Sequence, residues 1–166
     1  MPNMASIISS HNRRIINSNE RITTQGCNCR GGSNNCILQG HCQTSNFIYK
    51  CTVTTASGNK EYIGLTANSF KQRYTAHKSS YNNIKNRNST ALSSHIWDLK
   101  SSGTPHTVSW NIQRLAPPYS RESKVCQLCL TEKTLICPAD PANSLNKRNE
   151  IMSKCRHRAK HLLSHW

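Results

Sequence analysis

Between residues 47 and 65 the chain carries the pattern of a β-hairpin. Phe47-Ile48-Tyr49-Lys50-Cys51-Thr52-Val53-Thr54-Thr55 is dense in β-branched and aromatic side chains, Ser57-Gly58-Asn59-Lys60 is turn chemistry, and Glu61-Tyr62-Ile63-Gly64-Leu65 resumes the extended pattern. The period then changes. Phe70, Tyr74, His77 and Tyr81 recur at i, i+4, i+7 and i+11, which predicts a helix with Asn68 or Ser69 as its cap and with Arg73 and His77 as neighbours four residues apart. A second helix starts near Ser89-Thr90, buries Leu92, Ile96 and Leu99, and stops at Ser101-Ser102-Gly103. Val108, Trp110 and Ile112 alternate through a third strand, His106 to Leu115.

Beyond Pro117-Pro118, residues 121 to 136 read as a helix with an apolar stripe of Val125, Leu128, Cys129, Leu135 and Ile136. Glu132 falls inside that stripe, four after Leu128 and three before Leu135. A carboxylate on a buried face is costly unless it is paired or binds a metal, so this residue either does chemistry or lies at the edge of the face. Asn143-Ser144 opens a last helical stretch running through Asn146 to about Leu163. The expected class is α/β of the α+β kind: a small three-stranded antiparallel sheet flanked by helices, with an N-terminal cysteine-rich appendage.

Charge narrows the partner. Across 166 residues, 22 Lys and Arg stand against 7 Asp and Glu, a formal net charge of +15. Neutralising phosphates releases condensed counterions, so nucleic acid is the first candidate partner, the alternative being a solvated basic face. The basic residues are scattered among Asn, Ser and His and lie on no strongly apolar helix, which disfavours a membrane surface. The longest apolar run falls far short of the roughly eighteen residues a spanning helix needs. Arg13 and Arg14 follow the weak N-terminal apolar patch, the reverse of a secretory signal, so an intracellular chain is expected, nuclear if DNA is the partner.

Residues 1–26 are polar and are expected to form a disordered tail. Within 27–46, Cys27, Cys29, Cys36 and Cys42, with His41 a rival for the last, follow a C-x-C-x6-C-x5-C spacing. In a reducing compartment four thiolates so close suggest a structural zinc unit; the alternative is a linker with reactive thiols. A second zinc group could form from Cys126 and Cys129 with His157 and His161, four apart on one helical face, with Cys155 nearby; Cys129 could equally be core. Cys51 and Cys137 read as packing residues. Residues 47–166 form the main domain, which ends in a basic helix carrying Lys147, Arg148, Lys154, Arg156, Arg158 and Lys160.

Strand, turn, strand and helix bearing Tyr49, Tyr62, Gly64 and Arg73, with Glu132 some sixty residues later, resembles the GIY-YIG nuclease family. Ile48-Tyr49 looks like the end of the first motif, Tyr62-Ile63-Gly64 is the second, Glu132 in LCLTEKTLI resembles the metal-binding glutamate, and Asn146 in SLNKR the later asparagine. EYIGLT, STALSSHIWDLK, CQLCLTEK and LNKRNEIMSKCRHRAKHLL, with CNCR upstream, look more narrowly like the endonuclease region of Penelope-like retroelements.

That resemblance implies a GIY-YIG-like fold over residues 47 to about 150 and a metal-dependent DNA endonuclease that nicks one strand. Mg²⁺ or Mn²⁺ would sit at Glu132 and Arg73 would contact the phosphate. Tyr49 would take or relay the proton of the attacking water, Tyr62 would orient water or phosphate, and His77, expected to titrate near neutrality, would share the proton work. Asn146 would support the site, touch DNA or cap a helix. The partners implied are DNA and a reverse transcriptase encoded by the same element, with no small-molecule substrate. The competing readings are an inactive zinc-stabilised nucleic-acid-binding module and a structure-specific DNA-repair nuclease. Two positions depart from the family pattern: Phe47 stands in place of a glycine, and Leu65 where some members carry a lysine, a role that Lys50, Lys71 or Lys78 would have to cover.

Overall fold

A computed structural model describes residues 26–120, 125–147 and 154–157. The described chain is α+β: strands β1 (Phe47–Thr55), β2 (Gly58–Thr66) and β3 (His106–Leu115), and helices α1 (Phe70–Asn82), α2 (Ala91–Ser101) and α3 (Gln127–Ile136). The three strands form one antiparallel sheet in the order β2-β1-β3, with β1 in the middle.

Period-two alternation sends side chains to two covered faces. Phe47, Tyr49, Cys51 and Val53 of β1, with Tyr62 and Trp110, pack against Phe70, Leu92 and Ile96 from α1 and α2. On the opposite face Ile48, Ile63 and Leu65 pack against Leu128, Cys129 and Ile136 of α3. Phe47 is fully buried and its ring meets those of Tyr49 and Phe70, so it is part of the core. Leu65 is likewise buried, while Lys50 pairs with Glu61 at 2.9 Å and Lys71 bonds Asn28.

The expected boundary at residue 46 does not separate two packing units. Cys36, Leu38 and Cys42 lie in the same cluster as Phe47 and Tyr49. The start of α1 is capped by this segment: the Phe70 and Lys71 N–H groups donate to the carbonyls of Thr44 and Cys42 at 3.0 and 2.8 Å. Ser69 occupies the cap position but makes no side-chain cap bond, and Asn68 lies one residue further out, so neither plays the part expected of it. Thr90 does cap α2, its Oγ1 accepting from the Ser93 N–H at 3.0 Å.

The C-terminal part differs most from expectation. The third helix begins at Gln127, with Val125 outside it, and residues 121–124 lie outside the described residues. Residues 143–147 form no helix: Ser144 makes a parallel bridge to Glu61 along the edge of β2. Lys154–His157 hold a turn, at Arg156–His157, where a basic helix is expected, and the rest of that stretch, with Arg148, Arg158, Lys160 and His161, lies outside the described residues, as does the expected tail through residue 25. Cys137 is exposed, whereas Cys51 is fully buried as expected.

Candidate active site and metal centres

Tyr49 is the third residue of the central strand, beside a slip in the β1–β3 pairing. Ile48 pairs with Arg114 but Tyr49 with Ile112, so Gln113 is the extra residue of a bulge, a device that re-aims side chains. The Tyr49 ring is enclosed by Phe47, Phe70, His77 and Trp110. Its hydroxyl lies 2.9 Å from Arg73 Nε and 2.8 Å from His77 Nε2. The guanidinium can only donate, so the tyrosine oxygen accepts from Arg73, and the phenolic proton is left to point at His77 Nε2. The chain of bonds thus runs from Arg73 through Tyr49 to an imidazole whose Nε2 serves as acceptor.

Burial sets the electrostatics of this chain. It is the largest influence on Tyr49 and pushes the phenol up to about 12, against the pull of Arg73, so the cation does not yield a resting phenolate. His77 was expected to titrate near neutrality; burial first and Arg73 second bring it down to about 3. The unfolded chain takes up a proton at this histidine near pH 6.5 and the folded protein only near pH 3, so stability present above 6.5 is lost as pH falls through that window. The slope is up to about 1.4 kcal/mol per pH unit. Urea midpoints at pH 7.5 and pH 5 should therefore fall further for the wild type than for His77→Gln; equal falls would contradict the buried neutral ring.

Gly64, opposite Tyr49 in the β1–β2 register, is required by this geometry. A Cβ there would lie 2.5 Å from Tyr49 Oη and 2.7 Å from Cζ, and the walled-in ring has no room to retreat. Gly64→Ala is expected to cost about 1–3 kcal/mol in urea unfolding through overpacking. An unchanged midpoint would show that the tyrosine can move.

Tyr62 is buried on the same face, its ring 6.2 Å from that of His77. Asn146 is no helix cap. Its Oδ1 accepts from the Ile63 N–H at 2.7 Å and its Nδ2 donates to the Ile63 carbonyl at 2.8 Å, a two-point clamp on the edge strand within the second motif. Glu132 is 8% exposed, as its place in the stripe predicts, and its charge acts on both Tyr49 and Arg73. Arg156 Nη2 stands 3.8 Å from Glu132 Oε1. The structure thus gathers Tyr49, Tyr62, Arg73 and His77 in the seam of sheet and α1, places Glu132 within electrostatic reach, and uses Asn146 as a brace.

Two groups of side chains could hold a metal ion such as zinc. In each, the four ligand atoms lie within 4.8 Å of one another: Cys27, Cys29, Cys36 and Cys42 in one, and Cys126, Cys129, Cys155 and His157 in the other. Around tetrahedral zinc the sulfur atoms should stand about 3.8 Å apart and sulfur and nitrogen about 3.5 Å, from bond lengths of roughly 2.3 and 2.0 Å. Cys29 and Cys42 Sγ are 3.6 Å apart, Cys129 and Cys155 Sγ 3.6 Å, and His157 Nδ1 lies 3.3 and 3.4 Å from Cys126 and Cys129 Sγ. Burial works to raise Cys36, but bonds from the backbone at Leu38, Gly40 and Cys42 bring it down to about 6. Backbone N–H groups stabilise a thiolate in this way, and the thiolate is the ligand form.

The second group takes Cys155 as its fourth ligand among the described residues, where the sequence favoured His161. Cys155-Arg156-His157 is a C-x-H spacing that fits a tight turn far better than a helix, and this was the signal available in the sequence. No family model, curated protein or solved structure matched the chain.

Proposed function

We propose that the chain is a metal-dependent DNA endonuclease of the GIY-YIG type that nicks one strand. The observation that carries this reading is the bond sequence Arg73–Tyr49–His77, with a buried carboxylate, Glu132, acting on the first two. A tyrosine held near 12 is a poor base alone, but it can take a proton from water while passing its own to His77 Nε2. Arg73 Nε holds the phenol, and the rest of its fork is shaped to receive two oxygens of a phosphate. The arriving phosphate charge would offset the effect of Arg73 on His77 and so ease that proton's transfer.

In the step itself, water oxygen bonds to phosphorus as the bond to the 3′ oxygen breaks. The water proton passes to Tyr49 as the Tyr49 proton goes to His77, and the 3′ oxygen takes a proton from a second, solvent water, which leaves as hydroxide, so that the products are a 3′ hydroxyl and a 5′ phosphate. Glu132, a buried carboxylate, would hold a hard divalent cation such as Mg²⁺, which commonly uses one or two carboxylates and fills its remaining positions with waters and substrate oxygens. Such an ion would stabilise charge on the phosphate and the leaving oxygen. Tyr62, on the same face, orients water or phosphate. The high positive charge supplies sequence-independent affinity. If the likeness to Penelope-like retroelements holds, the nick would serve a reverse transcriptase by exposing a 3′ hydroxyl.

The test is nicking of supercoiled plasmid with Mg²⁺, Mn²⁺ or no added divalent cation, for the wild type and for Arg73→Ala. Metal-dependent nicking that falls at least about a hundredfold in the variant is expected. DNA binding without nicking under every condition would instead favour a binding module held together by zinc.

A further inference from the structure

Arg156, expected on a basic C-terminal helix, has a specific post in a turn of the structure. It sits between two members of the second metal group, Cys155 and His157, and its own N–H donates to Cys129 Sγ. Its backbone is therefore fixed by the sulfur cluster on both sides and through the peptide nitrogen. Its side chain is 54% exposed and reaches toward Glu132, but 3.8 Å is too long for a hydrogen bond, so this contact does not consume the fork's donors. The guanidinium also lies close enough to act on Tyr49.

We propose that Arg156 is a second phosphate-binding arginine of the site, and that zinc bound by Cys126, Cys129, Cys155 and His157 positions it there. This rests on the nuclease reading above. A cation at Glu132 would repel Arg156 from the carboxylate, and the nearest anion able to accept its fork is then the phosphate already held by Arg73. The two arginines would arrive from different parts of the fold: Arg73 from α1, whose start is capped by the first cysteine group, and Arg156 from the turn closed by the second.

The test uses the full chain with its bound metal. Zinc per chain is measured, then affinity for a DNA duplex against KCl concentration without added divalent cation, then plasmid nicking. Arg156→Ala should keep two zinc ions per chain, lose about 0.9 from the slope of log affinity against log salt, as one phosphate contact predicts, and nick about a hundredfold more slowly. Arg156→Lys should restore the slope but not the full rate, because a point charge replaces a fork. Cys155→Ser should lose one zinc ion and show the same loss of slope. An unchanged slope in Arg156→Ala overturns the phosphate contact whether or not Cys155→Ser folds. A Cys155→Ser protein that loses zinc yet keeps the slope overturns the role of the metal. A wild type that never nicks overturns the nuclease reading, and the slopes still decide whether Arg156 meets phosphate.

Discussion

Glu132→Gln is expected to leave the protein folded and its zinc content unchanged while lowering metal-dependent nicking by at least about a hundredfold to a thousandfold. The side chain is buried on α3 with Leu128 and Ile136 on the same helix, and glutamine conserves its volume, so packing survives. The negative charge does not survive. That charge now acts on Tyr49 and Arg73 and is the proposed anchor of the catalytic cation, whose Lewis-acid contribution is worth several kcal/mol, or two to three powers of ten in rate. The readout is the rate of plasmid nicking with Mg²⁺ beside a urea curve. A folded variant that nicks at the wild-type rate would remove Glu132 from the site.

Stripping zinc should have the largest effect on stability. Residues 27–46 place few large apolar side chains in the core, with Leu38 and the buried cysteines doing most of the packing. Zinc bound to such ligand sets supplies on the order of 10 kcal/mol of apparent free energy, comparable with the whole net stability of a domain. Without it the carbonyls of Cys42 and Thr44 would release the first two N–H groups of α1, the helix that presents Arg73 and His77. A zinc chelator, or Cys42→Ser, is therefore expected to lower the melting temperature by more than about 10 °C, as a loss of several kcal/mol does at this size. Restored zinc should reverse the chelator's effect. A melting curve unmoved after zinc has been measurably removed would refute the structural role.

What the sequence revealed is what short-range chemistry encodes. The hairpin, the faces of α1 and α2 and the start of α2 next to Thr90 each rest on residues within a few positions of one another, and the structure has them where the pattern puts them. The burial of Glu132 was legible for the same reason, since a helical period places it between Leu128 and Ile136. The cap of α1 was not, because its acceptors are carbonyls more than twenty residues upstream that carry no side-chain signature. The turn at Arg156–His157 was not legible in a stretch read as helix for its run of basic residues; convergence of Cys155 and His157 on the start of α3 sets the local conformation. Asn146 was singled out as a residue, but its work is to complete the hydrogen bonds of an edge strand, which periodicity does not show. The low pKa of His77 also escaped, for burial beside Arg73 is a property of the packed core.

The clamp of Asn146 on Ile63 also has a kinetic side. The two residues are 83 positions apart, so the loop they close is long and its entropy must be spent before the contact repays it. The hairpin can form early and locally, but the edge at its second motif gains its last partner only when this distant segment returns. During synthesis Tyr49 and Tyr62 would therefore stand on a half-finished sheet until residue 146 has left the ribosome, which makes completion of the candidate site a late event in the birth of the molecule.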